Sequence, residues 1–262
     1  MATAVETPST SVDRTIAILE AVATRSSGMS NAEISRKLHI PKSSASYILR
    51  ALEKHGYLRR EHESGKYRLG LKLLNLGRGA LSGVDVREVA LPIMRHLVEH
   101  THITSHLAIL DGLQAVYVEK VDAPGFIKMD TWIGRRMEVY ATSVGKTLAA
   151  YLPTEQVEAI LRERGMKKRT PMTITNHARL LRELELVRER GHALDDEENN
   201  LGVRCVAAPV FNAAGEIEAA VNITGTTQQV NPDTLPRIID AVKDAARRIS
   251  SQLGYRPGKS RP

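Results

Sequence analysis

The 262-residue sequence predicts an α+β chain in two parts: a helical, basic N-terminal third that closes in a short hairpin, and a longer C-terminal part that mixes antiparallel strands with helices. Three observations carry this reading. Apolar residues recur at helical spacing up to about residue 55, longer strand-like runs with hairpin turns begin only after residue 100, and the surplus positive charge sits at the start of the chain. Residues 1–80 hold thirteen basic and seven acidic side chains, or +6 of the total +7, whereas the remainder nearly balances. A local excess of this kind is what binding to a phosphate backbone requires.

Val12, Ile16, Leu19 and Val22 mark a first helix, ended by the polar stretch from Arg25 to Gly28. Ser30 and Glu33 form a capping-box pattern that starts a second helix, continued by Ile34 and Leu38. Pro41 then fits the first position of a third helix, whose apolar stripe is Ala45, Ile48, Leu49 and Leu52 and which Gly56 ends. The opposite face carries Lys42, Ser43, Ser44, Ser46, Tyr47 and Arg50, short hydroxyls and cations at the end of a recognition helix that meets base edges in the major groove. Two short strands follow, with Arg59, Arg60, Lys66 and Arg68 around a turn at Gly65. Three helices and a basic hairpin make a winged helix-turn-helix over residues 11–69. Leu69, Leu71, Leu73, Leu74 and Leu76 then suggest an amphipathic linker helix within 70–84, suited to pairing two chains because one such unit reads only a short half-site.

In residues 85–254, Val86–Glu99 reads as a helix, and Ile103–Leu110 and Ala115–Val121 as strands joined at Asp111-Gly112. Cys205–Phe211 and Ile217–Thr224 are further strands around the turn at Asn212–Gly215. Asn176–Arg190 and Thr234–Leu253 are amphipathic helices, the first of them capped by Gly191. The result is an antiparallel sheet with flanking helices.

Composition excludes several classes of function. No apolar run reaches the roughly 18 residues of a membrane span, and the start of the chain has neither a basic nor an apolar targeting segment, so a cytoplasmic location and no membrane partner are expected. A single cysteine, Cys205, excludes an internal disulfide and a CxxC zinc site. Aromatic residues at 4% argue against stacking of single-stranded bases and leave duplex operator DNA as the nucleic-acid partner.

Gly145-Lys146-Thr147 hints at a phosphate loop, but the motif needs a glycine five residues before Gly145, and that position is Tyr140. What remains is a helix start at Thr142 or Ser143, with backbone amides at Val144 and Gly145 open to an anion such as a carboxylate. His96, His100, His102 and His106 form a run with partial metal spacing; the first two share a helix face, whereas His102 and His106 fall in a strand, so no metal is expected. No G-x-S-x-G elbow surrounds Ser143, and no activating base neighbours Cys205 in sequence, so catalysis is not expected.

The segments SVDRTIAILEAV from Ser11, GKYRLGLKLLNLGRGAL from Gly65, AVYVEKVD from Ala115, ATSVGKTLAAYLP from Ala141 and RERGHALDDEENNLGVRCVAAPVFNAAGEIEAAVNITG from Arg188 resemble, in that order, the IclR-type bacterial transcription regulators. The likeness runs from about residue 11 to about residue 254. It implies a GAF-like effector-binding domain after the linker, and dimers or dimers of dimers. It also implies a pocket lined by Asp195 of the acidic segment, Val203 and Cys205 of the GVRC segment, and Asn222 and Thr224 of the last strand, with Phe126 and Met129 as apolar walls. Asn222 and Thr224 stand where the family often has serine. The reading is therefore a DNA-binding regulator, repressor or activator, that needs no cofactor and is controlled by a small organic or sugar-type acid. Alternatives are a DNA-binding redox or metal sensor using Cys205 or the His96–His106 run, and a hydrolytic enzyme using Ser143 or Cys205.

Overall fold

A computed structural model describes residues 10–81, 85–125 and 128–256. These fall into two compact units divided between residues 83 and 84.

The first unit contains α1 (Ser11–Ala23), α2 (Asn31–Leu38), α3 (Lys42–Lys54), β1 (Leu58–Arg60), β2 (Tyr67–Leu69) and α4 (Lys72–Leu81). Capping decides where its helices begin. Thr10 with Asp13, and Ser30 with Glu33, form reciprocal capping boxes that satisfy amides otherwise left open at the first turns of α1 and α2. His39 closes α2 in a left-handed conformation (φ +53°) and turns the chain into α3, where Pro41 is the cap residue rather than the first helical one. Ile18, Ile34, Leu49 and Leu58 form the centre of the core. Gly28 lets the chain pass close behind the hairpin: it has φ +73°, and a Cβ there would come within 2.9 Å of the Tyr67 carbonyl. Met29 and Tyr67 then exchange backbone hydrogen bonds at 2.8 and 3.0 Å.

The apolar stripe expected on α1 divides in the structure. Ile18, Ala21 and Val22 are buried, but Val12 and Ile16 are exposed, because the three-helix core reaches only the second half of the helix. Leu69 belongs to β2 and Leu71 precedes α4, so the leucine-rich run is only in part a helix, and Leu71, Leu74 and Leu76 are exposed.

The second unit contains α5 (Asp85–Thr101), β3 (Thr104–Asp111), β4 (Gln114–Val121), β5 (Arg136–Met137), α6 (Ser143–Ala150), α7 (Thr154–Arg164), α8 (His177–Arg190), β6 (Ala193–Asp196), β7 (Val203–Phe211), β8 (Ile217–Thr226) and α9 (Leu235–Gln252). The strands form one antiparallel sheet in the order β5-β4-β3-β8-β7-β6. Helices α5 and α9 pack together and cover one face, and α6 lies against the central strands on the other, with α8 beside it. Spacing alone does not reveal α7, β5 or β6, which are short or only weakly periodic.

Register sets which side chains share the α6 face. Asp195 on β6 pairs with Cys205 on β7, which pairs with Thr224 on β8. Two residues along, Ala207 pairs with Asn222, which pairs with His106 on β3. Because side chains alternate with period two, these residues all point to the side that α6 covers.

Candidate DNA-binding surface and effector cavity

On the first unit, α3 exposes Lys42, Ser43, Tyr47 and Arg50, while Ser44 and Ser46 are half-buried. Pro41 offers no side-chain cap, so the first amides of α3 remain available to a phosphate. Ser43, Ser44 and Tyr47 line a shallow hollow with Ser11 and Arg14, which adds a basic residue that the sequence reading misses. In the hairpin, Arg59 and Arg68 face each other across the ladder. Like charges so placed repel, and the structure offsets this by pairing Arg68 with Glu61 at 3.2 Å. Arg60 lies over the Tyr67 ring at 5.8 Å. Among the described residues Arg59, Arg60 and Lys66 form no ion pair, although Arg60 is engaged by Tyr67 and the Gly65 carbonyl, and Arg68 is partly committed to the fold.

On the second unit, a cavity of about 250 Å³ opens between the sheet, the first turn of α6, the segment 129–137 and the loop after β6. Of the residues expected there, Met129, Ser143, Asp195, Val203, Cys205 and Thr224 line it. Phe126 lies outside the described residues. Val144 and Gly145 are buried but do not line the cavity, and the Gly145 amide is not open to a ligand, because it donates to Thr142 Oγ1 at 3.1 Å. Gly145 has another purpose: a Cβ there would meet the Glu138 carbonyl at 2.5 Å, so glycine lets α6 press against the preceding chain. The amides of Ser143 and Val144 precede the helix's own hydrogen-bond ladder, and Ser143 Oγ, in a residue 1% exposed, has no partner.

Asn222 is also not a lining residue. Its Oδ1 accepts the His106 backbone amide at 3.0 Å and lies 3.1 Å from His106 Nδ1, while its Nδ2 donates to Thr224 Oγ1 at 3.2 Å. These contacts fix the His106 tautomer. Nδ1–H donates to Asn222, and Nε2 accepts from the Thr131 hydroxyl at 2.7 Å. Burial lowers the His106 pKa to about 4, so the ring is neutral at physiological pH, and it stacks on Tyr117 with centroids 4.3 Å apart. Asn222 and His106 thus form a layer beneath the cavity that orients Thr131 and Thr224, which do line it.

Asp195 is 2% exposed and accepts the backbone amides of Glu198 and Asn199 at 2.8 and 3.2 Å. Burial raises its pKa to about 7 against the opposing pull of Lys146, with nearby Glu198 adding to the rise. Lys146, the lysine of the apparent phosphate-loop motif, is 1% exposed and pairs with Glu198 at 2.5 Å. Its work is internal: the pair ties α6 to the loop that carries Asn199 and Asn200 at the cavity wall. Burial also pushes the Cys205 thiol well above its ordinary pKa, away from a reactive thiolate.

The histidine run does not gather. His96 and His100 lie on the exposed side of α5 with tilted rings and centroids 4.0 Å apart, His102 sits in a left-handed turn (φ +55°) rather than in a strand, and His106 is buried in β3. Among the described residues, no group of three or more His, Cys, Asp or Glu is placed to hold a metal ion. Sequence spacing misses Tyr117, Thr131, Arg135, Asn199 and Asn200 as lining residues. The alternation on β4 could have placed Tyr117; the others lie on irregular segments that carry no periodic signal.

Two family models match the chain in tandem, an IclR helix-turn-helix domain over residues 11–62 and a bacterial transcriptional regulator IclR C-terminal domain over residues 78–251. The chain belongs to the IclR family. It is 36% identical over 245 residues to the HTH-type transcriptional regulator XynR of Escherichia coli strain K12, covering 94% of this chain and 97% of that one. It is 38% identical over 223 residues to the regulator KdgR of the same organism, covering 85% of each. The crystal structure of Thermotoga maritima IclR superposes with a TM-score of 0.80 at 32% identity, covering 93% of this chain and 98% of that one. As an IclR regulator, the chain has a helix-turn-helix DNA-binding domain and a C-terminal effector-binding domain. No described helix is long and apolar enough to cross a membrane.

Proposed function

We propose that this IclR regulator changes its affinity for operator DNA when a small organic or sugar-type acid enters the cavity beside α6, with one carboxylate held at Ser143. The observation that carries this reading is the unpartnered, buried Ser143 hydroxyl at the open first turn of a helix, in a cavity lined by both polar and apolar side chains. A carboxylate there accepts charge-assisted hydrogen bonds from the Ser143 hydroxyl and from the first amides of α6. Asp195, Thr224, Asn199 and Asn200 supply partners for hydroxyl groups elsewhere on the ligand. The raised Cys205 pKa and the absence of a base beside Ser143 among the described residues favour binding over catalysis.

On the DNA side, Lys42, Ser43, Ser44, Ser46, Tyr47 and Arg50 read the major groove, and Arg59, Arg60, Lys66 and Arg68 position the wing on the backbone. The exposed Val12 and Ile16 of α1 and Leu71, Leu74 and Leu76 around α4 support pairing into a homodimer, and a dimer of dimers extends the same arrangement. Such a protein works in the cytoplasm, where the chromosome is. A thermal-shift screen of carboxylic acids tests the reading. Acids that stabilise the wild type should bind Ser143→Ala about tenfold more weakly, as expected for loss of one hydrogen bond to a charged group. Equal stabilisation of both proteins overturns the placement at Ser143.

A further inference from the structure

Among the described residues lining the cavity, Arg135 is the one cation and the acids are Asp130 and Asp195. Most half-buried arginines of this unit are matched with carboxylates: Arg87 with Glu119, Arg190 with Glu183 and Arg204 with Asp196. The adjacent Arg136 pairs with Asp111. Arg135 has no such ion pair among the described residues, yet it is held in place. Its guanidinium lies 4.8 Å from the Trp132 ring centroid and donates through Nη1 to the Asp130 carbonyl. Its backbone is pinned to β4, where the Tyr117 amide donates to the Arg135 carbonyl at 3.1 Å and the Gly134 amide to the Tyr117 carbonyl at 2.7 Å. A preordered guanidinium with open N–H donors is built for a planar oxyanion.

We propose that Arg135 is a specificity determinant of the cavity, binding a second acidic group of the effector, so that the site favours diacids over the matching monoacids. The inference rests on the carboxylate placement at Ser143 and adds the second anchor. The two anchors differ in kind. Ser143 offers a hydroxyl and helix amides from the α6 side, and Arg135 offers a charged fork from the segment 129–135. A ligand of the cavity's size that carries one carboxylate can satisfy only one of them fully. Asp195 does not forbid a second negative charge, since its burial leaves it partly protonated at neutral pH. A diacid also explains why a guanidinium is positioned at this wall without an ion pair to a carboxylate among the described residues.

The test uses matched acids that differ only at the far end: D-glucarate against D-gluconate, and 2-oxoglutarate against 2-oxopentanoate. Affinities come from calorimetry and thermal shift on the full chain. Trp132 is the single tryptophan of the sequence, so its emission reports what engages Arg135. For at least one pair, the diacid should bind tenfold or more tightly than the monoacid and change the Trp132 emission. In Arg135→Gln the ratio should fall to near one, and in Arg135→Lys part of it should return. Equal affinity for both members of every pair, or an Arg135→Gln variant that keeps the ratio, overturns the role of Arg135 while leaving the Ser143 reading standing. Failure of every acid to bind overturns the Ser143 placement and this inference with it.

Discussion

Asp195 and His106 are both buried ionisable residues at one ligand site, and burial favours the neutral form of each by moving their pKa values in opposite directions. Asp195 titrates near 7 instead of 3.8, so the folded chain holds a proton that the unfolded chain releases. Its contribution to stability is full below about pH 4, declines as pH rises through 7, and stays low above that. His106, lowered to about 4 from 6.5, behaves in the opposite sense: its contribution is lost as pH falls from about 6.5 to 4. The difference in unfolding free energy between Asp195→Asn and the wild type should therefore grow in favour of the variant between pH 4 and 7 and level off above. Urea titrations across that range measure it, and a pH-independent difference would mean that Asp195 is charged throughout. At the same scale, Asn222→Ala strands the His106 amide and ring and should cost about 1–3 kcal/mol. If instead it is neutral in stability but abolishes ligand response, Asn222 touches the effector directly. That Cys205, Asn222 and Thr224 belong together is legible in the sequence only through the resemblance to the IclR-type regulators, since the register of β7 on β8 is what sets them on one face. That the Asn222 amide is taken up by His106 is not legible, because the two are 116 residues apart and meet only through strand pairing.

At the scale of elements, the parts best foretold by sequence are those with chemical punctuation. Ser30 and Glu33 start α2, Asn176 caps α8, and Gly191 ends it in a left-handed turn. Punctuation alone is not enough: α7 begins after Pro153 and ends at Gly165 with φ +70°, yet it and β6 depend on packing that spacing does not encode. For α3, Tyr47→Ala and Arg50→Ala should each weaken binding to the cognate operator by roughly 1–3 kcal/mol and affect random DNA less. Equal loss on both would make them phosphate contacts. For the wing, Lys66→Ala should weaken all sequences alike and flatten the salt dependence of binding, whereas Arg68→Ala should also destabilise the hairpin through the lost Glu61 pair. An unchanged salt slope in Lys66→Ala would remove the wing from the interface.

For the whole molecule, a DNA-binding unit and an effector-binding unit are useful together only if occupancy of one changes the affinity of the other, and such coupling is reciprocal. Charge asymmetry and motif order make the two-unit plan legible in sequence, since the basic excess stops near residue 80 and the structural division falls between residues 83 and 84. The route of coupling is not legible there, because it depends on how chains pair. The most direct measurement is binding of the full chain to DNA selected from a random pool, with and without a saturating amount of an acid that raises its melting temperature. The acid should change the dissociation constant by about 5- to 150-fold, the usual range for coupled sites. Ser143→Ala should bind the same DNA as the wild type and need about tenfold more acid for its response. A DNA affinity that ignores saturating acid, or a Ser143→Ala protein that responds at the same acid concentration as the wild type, would contradict the account.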